Sequence, residues 1–163
     1  AFAFHGAIHA HRRQAHCVIH AHTTPTMAVC CLEGGLSFTN FYAAQLWGQV
    51  AYHDFEGITV HHEEGARILE SAGDKTVLLL RNHGPVCIGR GIAHAFNLMW
   101  LLQRACEVQL ASQPMGPLRA IPAAVMEGCV RDSLNFSPES GAGEDGFAAL
   151  QRIIDAKDPG YRD

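Results

Sequence analysis

The sequence has no cluster of positive charge, no long apolar run and no spaced cysteine pairs, and each absence excludes a class of protein. Its longest basic run is Arg12-Arg13 and its formal net charge is −4, so binding to nucleic acid or to an anionic membrane has no electrostatic basis. No apolar stretch approaches the roughly 18–20 residues that a membrane span requires. We therefore expect no nucleic-acid partner and no membrane partner.

The six cysteines do not form a disulfide framework. None belongs to a C-x-x-C pair, and Cys30 and Cys31 are adjacent, so we interpret the cysteines as reduced, mostly buried thiols of a cytoplasmic protein. The N-terminus has no positively charged segment ahead of an apolar one, and we do not interpret it as a signal peptide. Its opening AFAFHGAIHAHRR indicates the interior of a longer protein, so we expect residues to precede Ala1.

The composition supplies enough apolar material for one domain with a real core. Of the 163 residues 48% are apolar and 17% charged, which excludes a mainly disordered chain. The unbroken TVLLL run over residues 76–80 is typical of a strand buried on both faces. The longest helix is predicted over residues 92–113, where apolar residues recur every three or four positions. Mixed helices and strands predict a three-layer α/β domain.

Shorter elements surround this strand and helix. We expect helices over residues 4–13, 25–33, 63–71 and 147–156, and strands over 17–20, within 50–60 and over 86–88. Residues 114–146 hold four of the seven prolines and the SPESGAGEDG stretch, which predicts a loop with little structure of its own. We therefore divide the chain into a domain over residues 1–113 and a C-terminal arm over 114–163, a loop followed by a helix.

Histidine is abundant, with 11 residues, and a candidate metal site begins at His20-Ala21-His22. Residues i and i+2 of a strand point to one face, so the two imidazoles would project together from the strand end. His83 follows the strongest strand, where ligands collect in α/β sheets. Neutral imidazole is a usual zinc ligand, and three histidines leave one coordination position open. The alternative is an H-x-H pair that arises by chance in a histidine-rich chain.

Longer segments around these histidines carry a resemblance to a known family. FHGAIHAHR, VIHAHT, LLLRNHGPVCIGRGIAHAFNLMWLLQRACEVQ and GEDGFAALQRIIDAKDPGYRD resemble the class II aldolases and the adducin head domain. The L-R-N-H-G and R-A-C-E-V-Q elements are more similar to the adducin-type branch. The resemblance implies a three-layer α/β/α class II aldolase-like domain with a C-terminal helical arm. It also implies a divalent metal, usually zinc, on His20, His22 and His83, and a cyclic homotetramer with active sites between subunits.

The family pattern is incomplete at the N-terminus. The aldolases place a catalytic acid, which is also a metal ligand, four residues before the histidine that His5 matches, and that position is Ala1. Their phosphate-binding loops lie further upstream, outside this sequence. The resemblance therefore implies either a chain without its N-terminal part or a divergent member without the acid, and no catalytic residue is assigned.

Two further groups of ligand-type residues have plainer interpretations. His5 and His9 lie one helical turn apart and could form a metal pair, but we favour packing roles for them. Glu64, after His61-His62-Glu63, is a candidate replacement acid. The plainer interpretation is an acidic first helical turn that complements the helix dipole.

Three further features of the sequence have both a functional and a plainer interpretation. Asn82 either orients His83 by a hydrogen bond or forms a turn. Tyr52 and Tyr161 are candidate proton donors only by analogy with related enzymes, and we favour packing for Tyr161. The segment Gly89-Arg90-Gly91 is too short for a phosphate loop and predicts a tight turn before the long helix.

The predicted function is a metal-dependent, lyase-like enzyme acting on a small hydroxy-carbonyl or sugar phosphate, through aldol cleavage or related enediolate chemistry such as epimerisation. The alternative is a non-catalytic, adducin-like oligomerisation or interaction domain. The three histidines favour the enzyme, because a pure scaffold has no reason to present them together. The alternative is favoured by the alanine at position 1, where the aldolases have their catalytic acid. A metal-free sugar-binding module is a third, weaker hypothesis.

Overall fold

A computed structural model describes residues 2–58, 62–133 and 143–162, and its centre is a four-stranded sheet. The strands are β1 (Cys17–His20), β2 (Val50–His53), β3 (Val77–Leu80) and β4 (Gly84–Gly89), in the order β1-β4-β3-β2. β3 pairs parallel with β2 and antiparallel with β4, and β4 pairs antiparallel with β1. The carboxyl ends of β1, β2 and β3 and the start of β4 therefore lie at one end of the sheet.

Helices cover both faces of this sheet. α1 (Phe2–His11) and α4 (His62–Ala72) pack on one face, and α2 (Thr24–Cys30), α3 (Phe41–Ala44) and α5 (Ile92–Ser112) pack on the other. α6 (Ala123–Ser133) and α7 (Glu144–Lys157) form the C-terminal arm. In the described ranges no helix is both long enough and apolar enough to cross a membrane. The predicted three-layer α/β/α architecture is confirmed.

The side-chain alternation along β3 divides the core into two halves. All four β3 residues are buried. Val77 and Leu79 belong to the cluster beneath α2, α3 and α5, whereas Leu78 and Leu80 belong to the cluster beneath α1 and α4. A strand covered on both faces needs apolar side chains at every position, which is why this run lacks the usual alternation. Each fully buried leucine contributes about 2 kcal/mol.

The C-terminal arm contains more structure than the sequence analysis predicted. α6 occupies residues 123–133, within the segment that was predicted to be a loop, and packs against α3. Pro122 precedes its first turn, a position that tolerates proline because the missing N–H has no helical partner there. Only Met126 of α6 is buried, so its apolar pattern is weak. Residues 134–142 of the predicted loop lie outside the described residues.

Candidate metal centre

The structure brings His20, His22 and His83 together at the end of the sheet where β1 and β3 finish. The ring centroids of His20 and His22 are 4.5 Å apart, and each lies 4.9 Å from the centroid of His83. One ring nitrogen from each residue lies within 4.8 Å of the others. Among the described residues, no other group of three or more His, Cys, Asp or Glu side chains is close enough to hold a metal ion.

The position of His22 does not have the origin that was expected from the sequence, which placed His20 and His22 on one strand. β1 ends at His20, and α2 begins at Thr24, close to the start of the helix predicted over residues 25–33. His22 therefore lies in the connection and not in the strand, so strand alternation does not position its ring. The Nε2 atoms of the two residues nevertheless lie 2.8 Å apart, because the connection turns the His22 ring toward His20.

A backbone carbonyl fixes the orientation of His20. Its Nδ1 lies 2.9 Å from the carbonyl oxygen of Pro85, which can only accept a hydrogen bond. Nδ1 must therefore carry the proton, so Nε2 of the neutral ring presents its lone pair to the centre of the cluster. Metal-binding histidines commonly use a carbonyl partner of this kind to set the tautomer and the ring orientation.

Burial keeps two of the three imidazoles neutral. It lowers the pKa of His20 to about 4, because a partly desolvated ring disfavours the positive charge. Burial also lowers the pKa of His83, as does the nearby His22, while the carboxylate of Glu64 opposes this shift. His20 and His83 are therefore neutral at neutral pH, with one ring nitrogen free of a proton, and this is the form of imidazole that binds a metal.

The cluster opens into a cavity of about 410 Å³ with largely apolar walls. Phe4, Met27 and Phe55 line it together with the histidines, and Asn82 adds an amide at its edge. Asn82 adopts a positive φ of 55°, and its N–H donates to the carbonyl oxygen of Cys30 at 3.1 Å. These contacts give Asn82 a turn-forming role. A concave, mostly apolar pocket with a few convergent polar groups is the usual form of a small-molecule site.

Arg81 anchors the turn that carries His83, a role that was not predicted from the sequence. Its Nη1 donates to the carbonyl oxygens of Leu32 at 2.7 Å and Glu33 at 3.1 Å, and its guanidinium lies 4.3 Å from the centroid of the Tyr52 ring. The position of Arg81 within L-R-N-H-G was the available signal. Its partners lie about 50 and 30 positions away in sequence, and a local pattern does not indicate such contacts.

Gly84 allows β4 to pass close beneath the histidines. A Cβ atom at this position would lie 2.7 Å from the carbonyl oxygen of Ala21 and 3.0 Å from Cδ2 of His22. The first contact is with backbone, which cannot rotate away, so an added methyl group must displace the segment that holds His22. The glycine of L-R-N-H-G thus sets the distance between the two halves of the site.

Replacing Gly84 with alanine is expected to weaken metal binding about 10- to 100-fold, the range seen when groups that orient metal ligands are changed. Titration of metal-stripped protein with zinc measures this. Gly146→Ala is the matched control, since nothing lies within 4 Å of a Cβ atom there. Equal zinc affinities for the two variants would show that Gly84 does not position His22.

The other candidate ligands lie outside the cluster. His9 donates from Nδ1 to the carbonyl oxygen of Ala15 at 2.7 Å, and the His5 ring packs against Phe4, with their centroids 4.6 Å apart. Glu64 is buried in the first turn of α4, with 6% of its surface exposed, and does not line the cavity. His61 lies outside the described residues.

The two tyrosines also have local roles. The Tyr52 hydroxyl accepts a hydrogen bond from the Leu36 N–H at 3.1 Å. The Tyr161 hydroxyl donates to Asp155 at 2.7 Å, and Arg162 donates to the same carboxylate, which closes the chain end onto α7. Neither tyrosine lines the histidine cavity of this chain.

Comparison with known proteins identifies relatives along the whole chain. A family model described as the class II aldolase and adducin N-terminal domain matches residues 1–110. A Pseudomonas aeruginosa protein, provisionally named an aldolase class 2 protein, is 37% identical over 165 residues, which cover 99% of this chain and 63% of that protein. Rat alpha-adducin is 43% identical over 110 residues, which cover 67% of this chain and 15% of the adducin.

A solved structure agrees with these matches. The crystal structure of an aldolase II superfamily protein from Pseudomonas syringae superposes with a TM-score of 0.89 at 32% identity, covering 99% of this chain and 64% of that one. This chain therefore spans a little under two thirds of the length of its bacterial relatives. From the family match and the shared fold together, the chain belongs to the class II aldolase and adducin N-terminal domain family.

Proposed function

We propose that this chain carries the metal site of a lyase-like enzyme that acts on a small hydroxy-carbonyl compound or a sugar phosphate. The observation that carries the proposal is the cluster of His20, His22 and His83 at a cavity of about 410 Å³. Membership of a family named for class II aldolases supports the reaction class. Aldol cleavage and epimerisation are both compatible with this site, because both pass through enediolate chemistry.

The donor set fits a divalent transition metal, and we propose zinc. Imidazole nitrogen suits zinc, whereas magnesium and calcium prefer oxygen ligands. His20, His22 and His83 would hold the ion, and three protein ligands are the number that catalytic zinc sites use to leave a position for substrate. When bound, such an ion supplies a Lewis acid that polarises a carbonyl group.

The residues around the histidines prepare the cavity for a small oxygenated substrate. Phe4, Met27 and Phe55 give it largely apolar walls, so the polar contacts to a substrate come from the histidines and Asn82. The amide of Asn82 at the edge can donate to or accept from a substrate hydroxyl group. Aldol cleavage and epimerisation both require a proton transfer, and we propose no described residue as its donor or acceptor.

We also propose a cytoplasmic homo-oligomer, with a tetramer as the expected form. The arm helix α7 supports the assembly, because Leu150, Ile153 and Ile154 expose 43–51% of their surfaces on a helix that already packs against α5. Free thiols support the location: Cys31 is exposed, and Cys30, Cys87 and Cys106 are buried and unpaired by disulfides.

An adducin-like interaction domain is the second candidate function. The 43% identity to rat alpha-adducin over 110 residues supports it. The two functions make different demands on the histidines. An enzyme needs a bound metal, whereas an interaction domain does not.

Metal analysis tests the proposed function. We expect protein purified without chelator to hold close to one zinc ion per chain, measured by elemental mass spectrometry, and to turn over a member of a panel of hydroxy-carbonyls and sugar phosphates. The His20→Ala/His22→Ala variant is expected to hold no metal, because it retains a single imidazole.

The metal-stripped protein is the control for turnover. Equal rates with and without metal would refute the proposed chemistry. Metal-free wild-type protein that also fails to take up added zinc would overturn the metal site and favour the interaction domain. If the protein holds metal but turns over no panel member, the adducin-like interaction domain becomes the favoured function.

A further inference from the structure

A second cavity, of about 470 Å³, lies at the opposite end of the sheet from the three histidines. It is bordered by residues just before β1, β2 and β3 and by the end of β4. Its charged and titratable lining residues are Arg12, Arg13, Asp74, Arg90 and His94, and we call it the arginine cleft. Because β1 to β4 separate the two cavities, a ligand of the cleft is distinct from the substrate of the histidine site.

The cleft concentrates positive charge in a chain whose formal net charge is −4. Three guanidinium groups line it against a single carboxylate, that of Asp74, which is already paired with the ammonium group of Lys75 at 2.9 Å. Within the described residues neither Arg13 nor Arg90 has an ion-pair partner, and both side chains are exposed at the cleft. Two cations are therefore free to meet an incoming anion.

Arg12 is held in place at the wall of the cleft. Its guanidinium donates to the carbonyl oxygens of Lys75, at 2.6 Å, and of Gly73. Burial lowers the pKa of Arg12 and the carboxylate of Asp74 opposes this shift, while the guanidinium stays charged at any physiological pH. Because Asp74 is also paired with Lys75, a bound anion would further stabilise the partly desolvated charge of Arg12. Because Arg12 is already ordered, little side-chain entropy is lost when an anion binds.

His94 adds a neutral donor beside the arginines. Its Nδ1 accepts a hydrogen bond from the Arg90 N–H at 3.2 Å, so in the neutral ring the proton is on Nε2. Burial lowers the pKa of His94, as does the charge of Arg90, which favours this neutral form. Ala15 and Ile88 form an apolar part of the lining. The cleft thus offers three cations and an N–H donor around a small space.

We propose that the arginine cleft binds a small dianion, a phosphate monoester or a dicarboxylate, independently of the histidine site. Guanidinium groups match both chemistries, because the planar fork donates two parallel hydrogen bonds to phosphate or carboxylate oxygens. Such a ligand contacts the end of α1, the α4–β3 connection and the start of α5. Its binding therefore links three segments and stabilises the folded chain by mass action.

Calorimetry and thermal unfolding of the full chain test the proposal with inorganic phosphate, pyrophosphate and succinate, at an ionic strength held constant with sodium chloride. We expect saturable binding of one anion per chain, with a dissociation constant below about 5 mM, and a rise in Tm. A response to phosphate and pyrophosphate alone identifies a phosphate ligand, and a response to succinate alone identifies a dicarboxylate.

Variants separate the cleft from other anion sites. Arg13→Gln/Arg90→Gln is expected to weaken binding at least about tenfold, because it removes two positive charges and their charge-assisted hydrogen bonds to the anion. Both side chains are exposed, so the variant should fold. Arg119→Gln/Arg152→Gln removes two exposed arginines outside the cleft and should bind as the wild type does.

The His20→Ala/His22→Ala variant should also retain binding, which distinguishes the cleft from any anion held at the metal site. Three results would each overturn the proposal: unchanged affinity in Arg13→Gln/Arg90→Gln, loss of binding with the two histidines, or an equal Tm rise with sodium chloride alone. The outcome is independent of the proposed function, because none of these measurements requires turnover.

Discussion

Replacing His83 with alanine is expected to remove both bound metal and turnover. His83 is the proposed ligand on the turn after β3, and its ring lies 4.9 Å from the rings of His20 and His22. Polarisation of a carbonyl by a metal is worth several kcal/mol of barrier, so we expect turnover to fall by about 10³-fold or more. Elemental analysis and steady-state kinetics on the same preparation measure both losses.

Two variants make this result specific. His16→Ala removes an exposed histidine outside the cluster and should change neither quantity. Glu64→Gln should leave the metal content unchanged, because Glu64 is not in the ligand group. If His83→Ala retained one metal per chain, the ion would be bound elsewhere and the three-histidine site would be wrong.

The second large effect is expected at the arm helix. Introducing aspartate at Ile153 and Ile154 together should convert the proposed oligomer into a monomer of 17.7 kDa. The two side chains are 51% and 46% exposed within one chain, so they contribute little to its core. Burying two carboxylates in an apolar interface without partners costs several kcal/mol, enough to dissociate it at micromolar concentration. Multi-angle light scattering gives the mass directly.

Gln151→Asp is the matched control on the same helix, since it adds a carboxylate at an exposed polar position. It should leave the mass unchanged, and circular dichroism should show both variants folded, because the Phe147–Phe96 contact that holds α7 on α5 is not altered. A wild-type mass of one chain would contradict the proposed assembly. A wild-type dimer would retain the interface and exclude the fourfold ring.

The sequence predicted best those elements that have a clear apolar pattern of their own. β3 and α5 have long apolar patterns, and both are present within one or two residues of their expected bounds. α3 was not predicted because it has only four residues. It begins after Asn40, whose side chain accepts hydrogen bonds from the N–H groups of Tyr42 and Ala43. α6 was missed because its surroundings contain several prolines and few of its residues are buried.

The same distinction holds at the candidate site. The three histidines could be proposed as ligands because imidazole is a usual metal ligand, because they lie at the ends of predicted strands, and because they match the ligand positions of a known family. Their supports could not, because the Pro85 carbonyl, the Arg81 contacts to Leu32 and Glu33, and the approach of Gly84 to Ala21 all join distant segments. Spacing along one strand or helix does not encode such contacts, which exist only once the sheet has formed.

The position of β4 between β1 and β3 makes the histidine cluster a junction between distant parts of the chain. His22 and His83 lie about 60 positions apart, so an ion bound to both closes a long loop, as a disulfide would. During synthesis the nascent chain would present only two of the proposed ligands until β3 and the turn after it have emerged. Uptake of the proposed ion would therefore come late, and the ion would stabilise a sheet that has already formed.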